Sequence, residues 1–522
     1  MERNVLIFGT HPMASSVVGQ YRSMGFVVDR CESLAGVSAL GNYQELFVFP
    51  QEGIDDGAVL DRLEALAEGL GQSEGADGAR PLCHLLLRSK VSLWLLQTLD
   101  LYHAINRRLE IYPFTLEDQW AKTVLCSLPG SPLHYQPLDR ERIDAQSAQR
   151  VHLLVCGMSD LGESLAQHAA LVAHYPNYVR DHTLRTRITI VDRDLRARRN
   201  AFTQRYQNLM DHSYYRYVDL SSSPMQTYFH TPIYNGVRED FIDVEWEFVE
   251  GDLHDPLFRS KLAFWATDRS QQLTIALCAD DSERNLSEAF ALPKEVYECQ
   301  VPVLVHVPQS GMLDRLGQSA GYQNIRPIGM CDCGYDVRLP LLQMAKRLNY
   351  FYACSYGQQG TPTDMPLEQV EQEWRRLDSF TMRYANLYNV MTIATKMRSL
   401  GHEDTAWGRF YALTQEEVEQ ISAVEHNRWS LERLMLGFRP PTDAERKEIA
   451  DNIADFTAAR NTGGNKPAED LKTVYKKRKV HYDLCAYQEL GEDKTGQNVR
   501  VYDYDLTACI PLIANSFNEM QP

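Results

Sequence analysis

The stretch "VHLLVCGMSDLGESLAQHAAL", Val151 to Leu171, decides how this chain is read. An apolar run ends at Gly157, and a helical pattern begins after Ser159. A phosphate at a helix N-terminus needs backbone N–H groups directed at it and no side chain in the way. Dinucleotide-binding turns therefore carry glycines as G-x-G-x-x-G. Gly157 and Gly162 hold the outer positions here, and Ser159 stands at the middle one. The next apolar run, "RITIVDRD", ends in Asp192, an acid placed to accept hydrogen bonds from ribose hydroxyls. Arg193 and Arg196 follow it and favour a phosphorylated ribose instead. The competing reading is a strand-to-helix turn that needs its glycines only for geometry.

Working outward, "VHLLVCG", "RITIVDRD", "VEWEFVEGD", "LTIALCADD", "VPVLVHVP" and "IRPIGM" read as one series of buried strands. An earlier series comprises "NVLIFG", "GFVVDR", "ELFVFP", "CHLLLRS" and "LEIYPF". Apolar runs alternating with helical stretches predict parallel, doubly wound sheets. The expected fold is α/β, with two consecutive Rossmann-like units over residues 1–145 and 146–335. In the first unit, "IFGTHPMASS" crowds its turn with His11 and Pro12, which suggests a structural copy. The stretch Gly69 to Arg80 reads as a glycine-rich loop.

From Leu339 the pattern turns helical. Residues 336–412 read as a helical connector, with "LPLLQMAKRLNYFYACSY" an apolar candidate for pairing two copies. Residues 413–522 form the last region. Thr414 and Glu417 have capping-box spacing, and Gly437 is a stop signal for the helix they open. Within that helix His426, Trp429 and Arg433 fall at i, i+3 and i+7, along one face with Arg428 beside it. An indole can stack on a base while arginine pairs with phosphate. A packing helix with solvated charges is the alternative. The run "KKRK", Lys476 to Lys479, is either a solvated face or a means of steering a phosphorylated ligand.

The chain has 522 residues and a formal net charge of −17, a balance that opposes general binding to nucleic-acid backbones or anionic membranes. Eleven scattered cysteines without metal-ligand spacing point to reduced thiols in a cytoplasmic setting, with no metal. The start runs directly into "NVLIFG", so no signal peptide is expected. No apolar segment of about 20 residues predicts a membrane span.

From Val151 to Val307 the chain resembles the NAD-binding regulatory domain of potassium-transport systems, the RCK or TrkA-N domain. The resemblance lies in the order "CGMSDLG", "IVDRD", "EGDLHDP", "LCADDSERNLSEAFAL" and "VPVLVHV". It implies NAD or a related adenine nucleotide as cofactor. It also implies Asp252 beside the adenine end and Asp280, Asp281 and Asn285 at the pocket rim. A second resemblance covers Leu413 to Ile513. "AVEHNRWSLERLMLGF" and "KVHYDLCAYQELGEDK" are similar to the ryanodine-receptor repeat, the RyR domain. Tyr482 stands where that family has proline, and "FRPP" replaces its aromatic-glycine stretch. This resemblance implies a second ligand site with His426, Arg428, Trp429, Arg433, Tyr482 and Tyr487. Together the two resemble bacterial architectures linked to nucleotide signalling or defence.

No H-E-x-x-H, G-x-S-x-G or Walker A pattern is present, and no catalytic residue stands out. The expected function is ligand sensing by a soluble regulatory protein, with a homodimer or a separate channel or effector as partner. An NAD(P)-dependent oxidoreductase and an interaction scaffold are the alternatives.

Overall fold

A computed structural model describes residues 3–518, except 33, 35–39, 41, 71–79, 127–132, 134, 223, 234–239, 310, 317–320, 332, 358–359 and 403–411. The glycine-rich loop expected at Gly69 to Arg80 lies largely outside the described residues.

The first apolar series forms β1 (Arg3–Phe8), β2 (Phe26–Cys31), β3 (Glu45–Val48), β4 (Leu82–Leu86) and β5 (Glu110–Phe114). All pair in parallel, in the order β2-β1-β3-β4-β5. The second series gives β6 (Arg150–Cys156), β7 (Thr186–Asp192), β8 (Tyr215–Asp219), β9 (Gln226–His230), β10 (Val244–Glu250), β11 (Gln271–Leu277), β12 (Val303–His306) and β13 (Ile325–Ile328). Their order is β13-β12-β11-β6-β7-β10-β8-β9.

These orders differ in kind. Without the β8–β9 hairpin, the second sheet runs 3-2-1-4-5-6 in its own chain order, the doubly wound arrangement of dinucleotide-binding folds. The first runs 2-1-3-4-5, the flavodoxin-like arrangement. Both sheets are thus doubly wound and parallel, apart from the antiparallel β8–β9 pair, but their strand orders differ. At the end of β1, the His11 ring stacks on Phe49 with centroids 5.3 Å apart, filling part of the first sheet's own turn.

The remainder is helical. The long helix Gln415–Met435 carries the expected Thr414–Glu417 capping box and ends before Gly437, whose φ of +82° suits a helix stop. Helix Pro340–Ser355 packs against helices Leu367–Arg376, Phe380–Met391 and Ile510–Asn518. Ten of its side chains are buried, including Leu341, Met344, Leu348 and Phe351. The apolar face expected to pair two copies is consumed within the chain.

One apolar core runs from the first sheet, through one face of the second, into the C-terminal helices. A second cluster, with Trp265, Leu273 and Val303, covers the other face of the second sheet. Helix Leu116–Leu125 of the first unit lies against helix Asp160–Val172 of the second. Asp118 joins them, accepting from His168 Nε2 at 2.6 Å and pairing with Lys122 at 2.6 Å, with all three groups buried. The two units are thus joined along helix Asp160–Val172, which the glycine turn opens. Among the described residues no helix is long and apolar enough to cross a membrane.

Candidate ligand crevice and the C-terminal cluster

In open parallel sheets, ligands lie outside the carboxyl ends of the strands where the strand order reverses. In the second sheet that point is between β6 and β11, and the glycine turn sits on it. Gly157 has φ +96°, and a Cβ there would lie 2.5 Å from the Ala279 nitrogen at the end of β11. A Cβ on Gly162 would lie 2.2 Å from the Gly157 carbonyl oxygen. The outer glycines thus serve both backbone conformation and close strand–helix packing. Ser159 caps the helix, its hydroxyl accepting from the Gly162 N–H at 3.1 Å.

Asp192 reaches this turn. Its carboxylate accepts from the Met158 N–H at 2.8 Å and from the Asp194 N–H at 3.2 Å. Each oxygen keeps a lone pair for a further donor. Arg193 pairs with Asp252. Burial works against the Asp252 charge, but the His254 N–H and Arg193 outweigh it and hold the carboxyl below its usual range. Arg196 lies 3.7 Å from Asp219 and 3.6 Å from Glu250. Arg198, missed in the sequence reading, bridges the turn: it donates to the Met158 carbonyl at 2.6 Å and to Asp280 at 2.9 Å. Gly157, Ser159, Gly162, Asp192, Arg193, Asp252 and Asp280 therefore gather at one end of one sheet.

Asp281 and Asn285 do other work. Asp281 caps helix Ser282–Ala291. Asn285 is buried, accepts from the Ala279 N–H and donates to the Ala279 and His306 carbonyls. The expected rim position of Asn285 is corrected to a brace between the ends of β11 and β12. Below the turn, burial raises the thiols of Cys156 and Cys278, which disfavours thiolate there.

The C-terminal candidates divide. Arg428 is buried and pairs with Glu425 at 2.8 Å and Glu432 at 2.6 Å; Lys396 also meets Glu425, at 2.5 Å. His426 meets Asp503 at 3.0 Å through Nδ1 and the Cys485 carbonyl at 2.9 Å through Nε2. Burial opposes its charge, yet Asp503 and that carbonyl push His426 up to about 10. His426 and Arg428, both expected to meet a ligand, are thus engaged in internal pairs. The half-buried Trp429 stacks on His426 at 5.4 Å and meets the edge of His481 at 4.8 Å. Arg433 lies over Trp429 at 5.7 Å. Tyr487 lies beside His426, with Arg500 over its ring, while Tyr482 sits under Arg446. Lys396 and Asp503 gave no local signal, because their partners are distant in sequence, whereas Glu432 lies four residues after Arg428, a helical spacing that did offer one. Among the described residues no His, Cys, Asp and Glu cluster suits a metal.

Comparison with family models, curated proteins and solved structures gives no match for the chain.

Buried histidines set an acid limit. Burial, helped by Lys476 and Arg433, lowers His481 to about 3, and burial also lowers His152 and His168. These groups stay neutral in the fold while the unfolded chain takes up protons. Their stabilisation is complete above the unfolded value near 6.5 and falls as pH drops toward the folded value. Each costs about 1.4 kcal/mol per pH unit across that window. The raised His426 behaves oppositely: its contribution is full below about 6.5 and is lost as pH rises from there through about 10, which offsets one of the three lowered histidines. Urea unfolding should therefore show lower stability at about pH 5.5 than at about pH 7.5. An equal or higher midpoint at the lower pH contradicts this assignment.

Proposed function

We propose that the chain is a nucleotide-responsive regulatory protein that holds an adenine dinucleotide, NAD or a close relative, in the crevice above β6, β7 and β11. The observation that carries this reading is the Met158–Asp192 hydrogen bond. It ties the glycine turn to the acid ending the second strand, putting a phosphate-class turn and a ribose-class acceptor at one switch point. The resemblance to RCK domains supports the same ligand class. The C-terminal region, similar to the RyR domain, is the proposed second ligand-responsive part, and the output passes to a second copy or a separate effector.

The paired arginines favour NAD over NADP. Arg193 is engaged by Asp252, and Arg196 lies near two acids. Asp252→Ala frees Arg193 and should shift the affinity ratio toward NADP roughly fivefold, the equivalent of about 1 kcal/mol for a partly exposed ion pair. Calorimetric titration of both dinucleotides into both proteins measures that ratio. An unchanged ratio removes Arg193 from the ribose end. Incubation with NADH and a panel of carbonyl acceptors separates sensing from oxidoreduction, and steady NADH oxidation overturns the regulatory reading.

A further inference from the structure

The basic run Lys476 to Lys479 is brought back onto the long helix. The Arg439 N–H donates to the Lys479 carbonyl at 2.9 Å, and the His481 N–H donates to the Arg439 carbonyl at 3.0 Å. This short ladder sets the run beside Arg433, in the last turn of helix Gln415–Met435. Arg433 is only 8% exposed and lies against two aromatic faces, 5.7 Å from the Trp429 centroid and 5.8 Å from that of Phe438. Its Nε is buried without a hydrogen-bond partner. Lys479 extends over the same Phe438 ring at 4.5 Å and donates to the carbonyls of Leu436 and Thr98, the latter in the first unit.

The nearby acids are shared. Glu432 Oε2 accepts from Arg428 at 2.6 Å, while its Oε1, which makes no hydrogen bond, pairs with Arg433 at 3.5 Å. Asp483 pairs with Lys472 at 2.8 Å. Lys476 has no ion-pair partner among the described residues, and Lys479 meets carbonyls rather than carboxylates. In a chain of net charge −17, cations outnumber the acids left to neutralise them at this seam. A buried arginine with a free N–H beside such lysines is a receptor for a compact, doubly charged oxyanion.

We propose that Arg433, Lys476 and Lys479 form a phosphate-binding site at the seam between the C-terminal helices and the first unit. The group bound is a phosphate, free or as a phosphomonoester. The site is separate from the crevice at β6 and does not depend on that reading. Burial, then the Arg433 charge, lowers Lys479 from its ordinary value, as a crowded cation without an anion should be. Bound phosphate relieves that repulsion. Because Lys479 also touches Thr98, occupancy tightens the join between the first unit and the C-terminal region.

The test is calorimetric titration of inorganic phosphate, and separately of AMP, into the full chain. Variants are Arg433→Gln, Lys476→Ala and, in the crevice, Arg198→Ala. Lys476 is exposed, so its truncation keeps the fold and decides the matter if Arg433→Gln fails to fold. Loss of one charge-assisted contact should weaken phosphate binding about tenfold or more in Lys476→Ala, while Arg198→Ala binds as the parent does. Equal phosphate and AMP affinities indicate that the phosphate alone is read, and tighter AMP binding that Lys476→Ala weakens and Arg198→Ala does not indicates a phosphomonoester. No binding at millimolar phosphate or AMP, parent-like binding by Lys476→Ala, or loss confined to Arg198→Ala each overturns the site.

Discussion

Gly157→Ala is expected to destabilise the chain by about 3 kcal/mol or more. Two effects combine there. A left-handed backbone costs an alanine about 1–2 kcal/mol. The new Cβ also meets the Ala279 backbone at 2.5 Å, and overpacking costs about 1–3 kcal/mol. Gly162→Ala should be similarly severe, because its Cβ would meet the Gly157 carbonyl at 2.2 Å and neither neighbour is a flexible side-chain end. Helix Asp160–Val172 must then back away from β6, disturbing Asp118–His168 and the join to the first unit. Urea unfolding measures the effect. A parent-like midpoint for either variant shows that the glycines do not hold this packing. Lost nucleotide binding in these variants would report the turn's collapse as much as a missing contact.

Arg428→Ala is expected to cost about 3–5 kcal/mol, the usual range for breaking a buried pair by removing one partner. Glu425 and Glu432 would lie buried without the guanidinium that faces both. Lys396 still meets Glu425, so the larger penalty falls on Glu432, whose other cation is Arg433 at 3.5 Å. Arg428→Lys keeps the charge but cannot span both acids bidentately, and should fall between parent and alanine. A stable, folded Arg428→Ala protein that loses a ligand would instead return Arg428 to a ligand face.

The strands were legible because burial on both faces gives short apolar runs, as in "HLLVC" of β6 and "ITIV" of β7. Their order was less so. The 2-1-3-4-5 and 3-2-1-4-5-6 arrangements use similar strand–helix units, and the crossovers that separate them leave no local mark. The β8–β9 hairpin was missed although "YRYVD" and "QTYFH" flank a serine-rich turn. Helix Asp443–Thr462 was missed although Thr442 and Glu445 form its capping box, the same signal that revealed the helix at Thr414. For the crevice, Gly157, Gly162 and Asp192 were readable from spacing, whereas Arg198 joins the site only through the fold. On the long helix, periodicity gave the shared stripe of His426, Trp429 and Arg433. It could not show that Asp503 and Cys485 occupy His426, because both come from later segments.

The central claim is an adenine dinucleotide held at the β6–β11 switch point by the glycine turn and Asp192. The most direct measurement is calorimetric titration of NAD into the parent chain and into Asp192→Asn, with folding checked by urea unfolding. Asparagine keeps the shape and removes the charge. Hydrogen bonds to a charged group contribute about 1.5–3 kcal/mol, so the variant should bind roughly ten- to a hundredfold more weakly. Absence of NAD binding by the folded parent, or equal affinity in a folded Asp192→Asn protein, would contradict the account.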